Sequence, residues 1–391
     1  MIEFPNLPGR LQHRQSTNPR NSSLDGLRGI AVSLTFLVHY CGTYMSSFRG
    51  ANPNSVAFEG WQGGFDKVMY WLFRSHHGVY IFFMLSGYLI AKLSLNKDFS
   101  YFRFLRNRLV RIYPAFLLAL GACIGLGAAV GRPLPNWREL VFNLLFLNGF
   151  PPAHVDGIVF NNVTWSLFYE MIFYLVFPVV LMLARFLRAP VPAAIAFAGI
   201  LVSYGPAYLG FYSELFLFLF AGAVAGALPA MQFKAAADSL PDAIVVGVYG
   251  LVTGLLTLGY ITTSQFVWLF ACLGLLVIGK ALTGKGPLAR GLAWRPLVGL
   301  GRISYSFYLL HSISIVLVFR LWARLSIPYL GPVGNALYLG LLGFAGAVAL
   351  GWGSFMVAER FYFKQKEARE HGGMPAGVGA LTIQTRQADA D

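Results

Sequence analysis

Charged residues are scarce in this chain of 391 residues. Asp, Glu, Lys and Arg make up 12% of it and 57% of the residues are hydrophobic, whereas an ordinary soluble domain has about 25% charged residues. This composition excludes a soluble domain and predicts an all-α, polytopic membrane protein. The net charge of +14 does not indicate nucleic-acid binding, because the basic residues lie in short segments between apolar runs, where they orient helices.

Cysteine is also rare, with three residues in the whole chain. Cys41, Cys123 and Cys272 lie in or beside apolar segments, and their spacing matches no set of metal ligands. The sequence therefore predicts neither a disulfide framework nor a metal site. We expect the three cysteines to have structural packing roles.

The N-terminus has neither the apolar core nor the small-residue cleavage site of a secretory signal. We therefore expect an uncleaved first helix, preceded by a cytoplasmic segment over residues 1–23. The transmembrane domain is predicted over residues 24–360. A cytoplasmic tail over residues 361–391 follows, and its end is predicted to be disordered because it consists of Gly, Ala and scattered polar residues.

Ten apolar stretches have lengths suited to a bilayer, which a helix of about 20 residues spans. The predicted spans are residues 27–47, 69–92, 111–130, 164–184, 190–204, 211–229, 243–260, 265–282, 297–322 and 332–357. The segment 139–150 is too short to span, so we expect it at the interface or re-entering the membrane. The longer polar segments 48–68 and 131–163 are predicted to form a lid or an acceptor mouth on the outer side.

Basic residues accumulate on one side of these spans. They are Lys92, Lys97, Arg103, Arg106, Arg108, Arg111, Arg185, Arg188, Lys234, Lys280, Lys285, Arg290 and Arg295. The short loops 205–210 and 261–264 on the other side contain no Lys or Arg. The positive-inside rule therefore predicts that both termini are cytoplasmic.

The first span contains two ionisable residues, Arg28 and His39, and such groups are costly in hydrocarbon and usually functional. Eleven steps of about 100° bring them within about 20° of the same helix face, separated by a rise of about 16 Å. Asp25 lies three residues before Arg28, close enough on a helix to pair with it. Two other interpretations stay open at this point, a positive-inside flank for Arg28 and a helix contact for His39.

Further polar groups occur in three later spans. Ser86-Gly87 forms a small notch in the second span, which is also typical of helix packing. Glu170 lies in the fourth span, and Ser304 and His311 share a face of the ninth because they are seven residues apart. For Glu170 and His311, hydrogen bonding between helices is the alternative to a catalytic role.

Arginines alternate with aromatic and aliphatic residues between the second and third spans, over residues 101–114. Arg108 and Arg111 are neighbours on a helix, and planar guanidinium groups suit phosphates. Two partners fit this stretch equally at this point, anionic lipid headgroups and a phosphorylated cytoplasmic ligand.

Five motifs in order give the chain a resemblance to the membrane acyltransferase-3 family. They are Leu-Asp-Gly-Leu-Arg28-Gly with ten residues between Arg28 and His39, Phe-Phe-Met-Leu-Ser86-Gly, Arg108-Leu-Val-Arg111-Ile-Tyr-Pro, Trp165-Ser-Leu-x-x-Glu170 and Ile-Ser304-Tyr305-Ser-Phe-Tyr-Leu-Leu-His311. The resemblance covers about residues 24–360. The chain departs from the family pattern at Phe168-Tyr169, where small residues and a second acid are frequent, and in lacking the extracytoplasmic esterase-like domain of some members.

The resemblance implies transfer of an acyl group, most often acetyl, from cytoplasmic acyl-coenzyme A to a hydroxyl of a carbohydrate or glycolipid. It implies a multi-pass protein of the bacterial cytoplasmic membrane, with membrane lipid, acyl-CoA and the acceptor as partners and no metal cofactor. The particular acceptor, the exact acyl group and the oligomeric state stay open.

The resemblance also assigns roles to residues. Arg106, Arg108 and Arg111 would bind the phosphates of the coenzyme. The face from Arg28 to His39 would lead its pantetheine arm inward, and His39 would act as general base, because imidazole titrates near neutral pH. The remaining predicted site residues are Ser86, Ser304 and Tyr305 on the donor side, with Glu170 and His311 in one internal cavity shared with His39.

A proton-coupled secondary transporter is the main alternative, because many spans with buried His, Arg and Glu are also typical of such carriers. Transporters often have half-chain repeats or paired broken helices, and the sequence indicates neither. An envelope sensor or scaffold is a second alternative, for which the outer segments are short and no cytoplasmic output domain is indicated.

Overall fold

The computed structural model describes residues 21–74, 77–149, 163–204 and 214–360, and this part of the chain is helical without strands. Its helices are α1 (Ser22–Arg49), α2 (Gly64–Arg74), α3 (His77–Ser94), α4 (Tyr101–Ala129), α5 (Trp137–Leu144), α6 (Trp165–Phe186), α7 (Val191–Tyr204), α8 (Glu214–Ala227), α9 (Ala230–Asp238), α10 (Asp242–Thr257), α11 (Thr263–Thr283), α12 (Gly286–Leu292), α13 (Arg295–Arg302), α14 (Ser304–Arg320), α15 (Trp322–Leu325) and α16 (Gly331–Ser354). A π-helical turn, Phe355–Glu359, continues α16.

Five helical stretches in the described residues are long and apolar enough to cross a membrane, namely Gly64–Ser94, α4, α6, α11 and Pro328–Glu359. The number rises to seven if two bent pairs, α8 with α9 and α13 with α14, each form one span. This confirms the predicted all-α, multi-pass membrane protein. The number of ten spans stays a prediction, since α7 and α10 have only 14 and 16 residues. The cytoplasmic location of both termini also stays a prediction.

The ninth predicted span, over residues 297–322, is wrong as one helix. The chain turns by 84° at Ile303, between α13 and α14. A second bend, of 110°, separates α8 from α9. Broken helices are therefore present, contrary to the sequence-based expectation. Apolar periodicity does not register such bends, because they depend on what each half packs against.

Several other predictions concern loops and termini. Most of segment 1–23, the tail 361–391 and the loop 205–210 lie outside the described residues. In the segment 139–150 the structure has α5, whose first turn is capped by Asn136 and Glu139 in a reciprocal capping box. With eight residues, α5 is too short to span, as predicted.

Glycines bring the start of α1 into backbone contact with α12 and α13. A Cβ at Gly26 would overlap the carbonyl oxygen of Leu292, and one at Gly29 would overlap that of Leu297. In the reverse direction, a Cβ at Gly301 would overlap the carbonyl oxygen of Asp25. Small residues permit such close approach between membrane helices. The contact fixes the first turns of α1, where Arg28 lies, beside the bend that starts α14.

The Ser86-Gly87 notch on α3 has two separate uses. Gly87 packs against the backbone of α8 at Leu219, and Gly222 of α8 packs against the backbone of α3 at Met84. Ser86, about 100° further round the helix, lines an internal cavity instead. The predicted packing role therefore describes Gly87, whereas the hydroxyl of Ser86 is available to the site.

We predict that Gly29→Ala destabilises the protein, because the added methyl group collides with the Leu297 carbonyl of α13. Overpacking typically costs about 1 to 3 kcal/mol. Thermal unfolding of the purified variant in detergent measures the effect. Gly247→Ala is the matched control, since a Cβ on this α10 glycine meets open space. Equal melting temperatures for Gly29→Ala and wild type would contradict the assigned backbone contact.

Candidate active site

A cavity of about 120 Å³ lies between α1, α3, α4, α6 and α14. Polar side chains from all five helices line it, among apolar ones. Seven of the ten predicted site residues are in its lining, namely Arg28, Ser86, Arg108, Arg111, Glu170, Ser304 and Tyr305. The cavity therefore collects residues from all five sequence motifs.

The bend at Ile303 supplies the cavity with a helix start. Ser304 and Tyr305, the first two residues of α14, line the cavity. The first amide groups of a helix have no partner within it, and its start carries a partial positive charge that favours anions. The Tyr305 hydroxyl also donates to the carbonyl oxygen of Ile112 at 3.1 Å, which ties α14 to α4.

Three arginines contribute positive charge to the same cavity. Arg28 of α1 forms an ion pair with Asp25, with an N–O distance of 3.4 Å. Arg108 and Arg111 follow one another on α4, one turn apart, as the spacing predicts. The Arg108 guanidinium lies 5.7 Å from the centre of the Tyr174 ring, a distance at which cation and aromatic face attract. Together with the start of α14, these groups suit an anionic ligand.

Arg106 differs from its prediction. Two residues from Arg108, it lies about 200° away around the helix, so the two side chains leave α4 on opposite sides. Arg106 is exposed and borders a shallow surface groove with Phe102, Arg103 and Asn107. It is not among the residues that line the cavity.

Glu170 of α6 provides a carboxylate on the cavity wall, where it faces Ser86 of α3. It accepts a hydrogen bond from the hydroxyl of Ser86, and Tyr174 lies close by. Tyr174 is fully buried and lies one helical turn beyond Glu170 on α6. Glu170 is half-buried, and a carboxylate withdrawn from water is costly unless hydrogen bonds or opposite charges compensate it. Here the Ser86 hydroxyl and the arginines of the same cavity do so.

His39 and His311 lie side by side, with ring centroids 5.1 Å apart. His311 is fully buried, and its Nδ1 lies 2.7 Å from the Tyr308 carbonyl oxygen. Because a carbonyl only accepts, Nδ1 carries the hydrogen and the neutral ring keeps its lone pair on Nε2. Within the described residues, that Nε2 atom has no hydrogen-bond partner. His39 is half-buried.

The two histidines are not among the residues that line the cavity, whereas Glu170 is. One cavity shared by His39, His311 and Glu170 therefore stays a prediction. Tyr308 lies between the two regions. It lines the cavity, its hydroxyl contacts the Ser166 hydroxyl at 2.7 Å, and its carbonyl oxygen accepts from His311. The site therefore has a charged compartment and a neighbouring histidine pair.

Sequence reasoning missed four polar residues of this region. Tyr174 follows Glu170 by four residues and Tyr308 follows Ser304 by four, so helical spacing identifies both as members of the same faces. Ser166 lies within the fourth motif. Glu359 lies just beyond the last predicted span, and no local pattern connects it with the site. Among the described residues, no group of three His, Cys, Asp or Glu side chains is arranged to hold a metal ion.

Comparison with known families shows a match over most of the chain. A family model described as an acyltransferase domain matches residues 21–353. This range includes every residue that lines the cavity, as well as both histidines. The match confirms the family resemblance that the five motifs indicate.

Individual relatives are distant. The chain is 28% identical over 320 residues to the exopolysaccharide production protein ExoZ of Rhizobium meliloti, covering 78% of this chain and 94% of ExoZ. It is 26% identical over 304 residues to the O-acetyltransferase OatA of Staphylococcus aureus, covering 66% of this chain and 49% of OatA. A shorter stretch of 111 residues is 36% identical to the acyltransferase MdmB of Streptomyces mycarofaciens, covering 27% of this chain and 28% of MdmB. No solved structure matches the chain.

Proposed function

Because the chain belongs to the acyltransferase family whose domain model matches residues 21–353, we propose that it transfers an acetyl group from acetyl-coenzyme A to a carbohydrate hydroxyl. The donor enters from the cytoplasm, the acceptor is extracytoplasmic or lipid-linked, and the protein lies in the bacterial cytoplasmic membrane. Family membership favours an enzyme over the transporter, despite the two bent helix pairs. The names of ExoZ and OatA, for exopolysaccharide production and O-acetyl transfer, support the acceptor class and the acyl group.

The observation that carries the proposal is the convergence of Arg28, Arg108 and Arg111 with the start of α14 on one cavity. Guanidinium groups and helix N-termini both bind phosphates, and coenzyme A carries several. A volume of about 120 Å³ holds about four water molecules. The nucleotide therefore stays at the cytoplasmic mouth, and the narrow thioester arm enters.

The arm then follows α1 from Arg28 towards His39, over an axial rise of about 16 Å. In the reaction, His39 takes the proton of the acceptor hydroxyl. The hydroxyl oxygen forms an ester bond with the acyl carbon, the C–S bond breaks, and the coenzyme leaves as a thiolate that is then protonated. This is general-base catalysis with imidazole, which suits neutral pH.

His311 has a positioning role in this proposal. Its Nδ1–H is held by the Tyr308 carbonyl, so its Nε2 lone pair is the group available to the neighbouring His39 ring. If one His39 nitrogen donates to that Nε2 during the reaction, the other His39 nitrogen is left as the base. Tyr308 thereby couples the histidine pair to the donor cavity that its side chain lines.

The direct test incubates the purified full-length protein, reconstituted in lipid, with labelled acetyl-coenzyme A and a series of carbohydrate acceptors. Appearance of label in an ester that mild base releases supports the proposal. Transfer to no acceptor, combined with proton-dependent uptake of a solute by the same vesicles, would favour the transporter instead. Mass spectrometry of surface glycans from a deletion strain identifies the acceptor as the glycan that loses its acetyl groups.

We predict that Arg108→Ala and Arg111→Ala raise the KM for acetyl-coenzyme A about 10- to 150-fold, since a hydrogen bond to a charged group contributes about 1.5 to 3 kcal/mol. For an acetyl thioester that lacks the nucleotide, the KM is expected to rise far less. Arg103→Ala is the control, because this exposed residue of α4 faces the surface groove. Equal losses for both donors would show that the two arginines serve topology or lipid contact.

We also predict that His39→Ala abolishes transfer while leaving the protein folded, because removal of a general base typically costs about 10² to 10⁴ in rate. Turnover with saturating donor and acceptor measures the loss. Elution of the variant as a single peak in detergent, with a wild-type melting temperature, is the control for folding. Near-normal turnover in such a sample would move the base to another residue.

A further inference from the structure

Glu359 is a buried carboxylate outside the catalytic assignments above. It ends the π-helical turn Phe355–Glu359 that continues α16, and 2% of its surface is exposed. A π-helical turn is rare and often occurs at a functional site. It also lies beyond residue 353, where the match to the family model ends.

The carboxylate of Glu359 is bound to the start of α14. The Ser306 hydroxyl donates to its Oε1 at 2.5 Å. The Ser306 hydroxyl also lies 2.9 Å from that of Ser354 on α16. Because Ser306 directly follows Ser304 and Tyr305, this hydrogen bond ties Glu359 to the helix turn that lines the donor cavity.

Arg111 is the cation associated with Glu359. The π-helical turn packs against α4, the helix that carries Arg111. The charges of Arg111 and Glu359 are close enough to attract one another. Tyr305 is close enough to experience the charges of both residues. A buried carboxylate requires such a partner, since its desolvation costs several kcal/mol. The same attraction acts on Arg111, whose side chain lines the cavity.

We propose that Glu359 is a positioning residue for donor binding, which holds the Arg111 guanidinium and the first turn of α14 in the orientation that faces the cavity. The inference rests on the proposed function, in which Arg111 binds donor phosphates. A purely structural cap is the competing interpretation. The two differ in one respect, because a cap requires only hydrogen-bond acceptors at this position, whereas orientation of Arg111 requires the negative charge.

The variant Glu359→Gln distinguishes the positioning role from the purely structural cap. The amide oxygen of the glutamine still accepts from the Ser306 hydroxyl, but the negative charge is gone. We expect the KM for acetyl-coenzyme A to rise about tenfold, the scale of one charge-assisted hydrogen bond, while the KM for the acceptor and the melting temperature stay at wild-type values. Ser354→Ala is the matched control, because it removes a partner of Ser306 from the same cluster and keeps the Glu359 charge. Its donor KM is expected to stay unchanged.

A double-mutant cycle with Arg111→Ala provides the second measurement. If Glu359 acts through Arg111, Glu359→Gln adds little to the donor KM once Arg111 is absent. A wild-type donor KM in folded Glu359→Gln, or losses that add fully in the double variant, would overturn the inference. Should Glu359→Gln not fold, Glu359→Asp takes its place. It keeps the charge one methylene further from Arg111, so a raised donor KM supports the inference and an unchanged one overturns it.

The Arg111→Ala variant distinguishes this inference from the proposed function. An unchanged donor KM in Arg111→Ala would refute the proposed donor site and the role of Glu359 together. A raised donor KM in Arg111→Ala, with an unchanged one in Glu359→Gln, would refute the role of Glu359 alone and leave the donor site standing.

Discussion

A charge among membrane-spanning helices is costly unless an opposite charge or several hydrogen bonds compensate it. The organisation of this protein depends on that constraint. Arg28 is paired with Asp25, Glu170 accepts from Ser86, and Glu359 accepts from Ser306 near the charge of Arg111. Each compensation joins two helices or two turns, so the charges that form the cavity also hold its walls together. Removing one charge leaves its partner buried and uncompensated.

Close backbone contact makes this arrangement possible. Apolar burial drives little association between helices in lipid, so packing and polar contacts decide which helices meet. Glycines at the start of α1 and along α3 remove the side chains that would keep α13 and α8 at a distance. The bend after α13 then turns the start of α14 into the cavity. A helix start within the bundle is tolerated because it lines a polar cavity and the Ser306 hydroxyl of its first turn donates to Glu359.

Local sequence pattern predicts most of the polar residues that line the cavity and little of their surroundings. Arg28, Ser86, Arg111 and Glu170 stand out because each is a polar group in an apolar helix, and all four line the cavity. Arg106 does not line the cavity, because it leaves the helix on the side opposite Arg108. This angular position can be calculated from the sequence. Local sequence pattern does not predict the bend at Ile303 or the separation of the histidines from the cavity. They depend on how each helix is rotated against neighbours that are hundreds of residues distant, and a single sequence does not encode that rotation locally.

The division into a charged compartment and a histidine pair has a chemical consequence. Phosphate binding needs several cations close together, whereas a general base must accept a proton, which nearby cations oppose. One undivided cavity would bring these two requirements into conflict. Here α1 separates Arg28 from His39 by about three helical turns, and Tyr308 lies between the cavity and His311. The long thioester arm of the proposed donor is the chemical link that spans such a separation. A small substrate that fits in one compartment would not use this spacing. The spacing therefore favours coenzyme-bound acyl transfer over the other functions that the charged helices suggest.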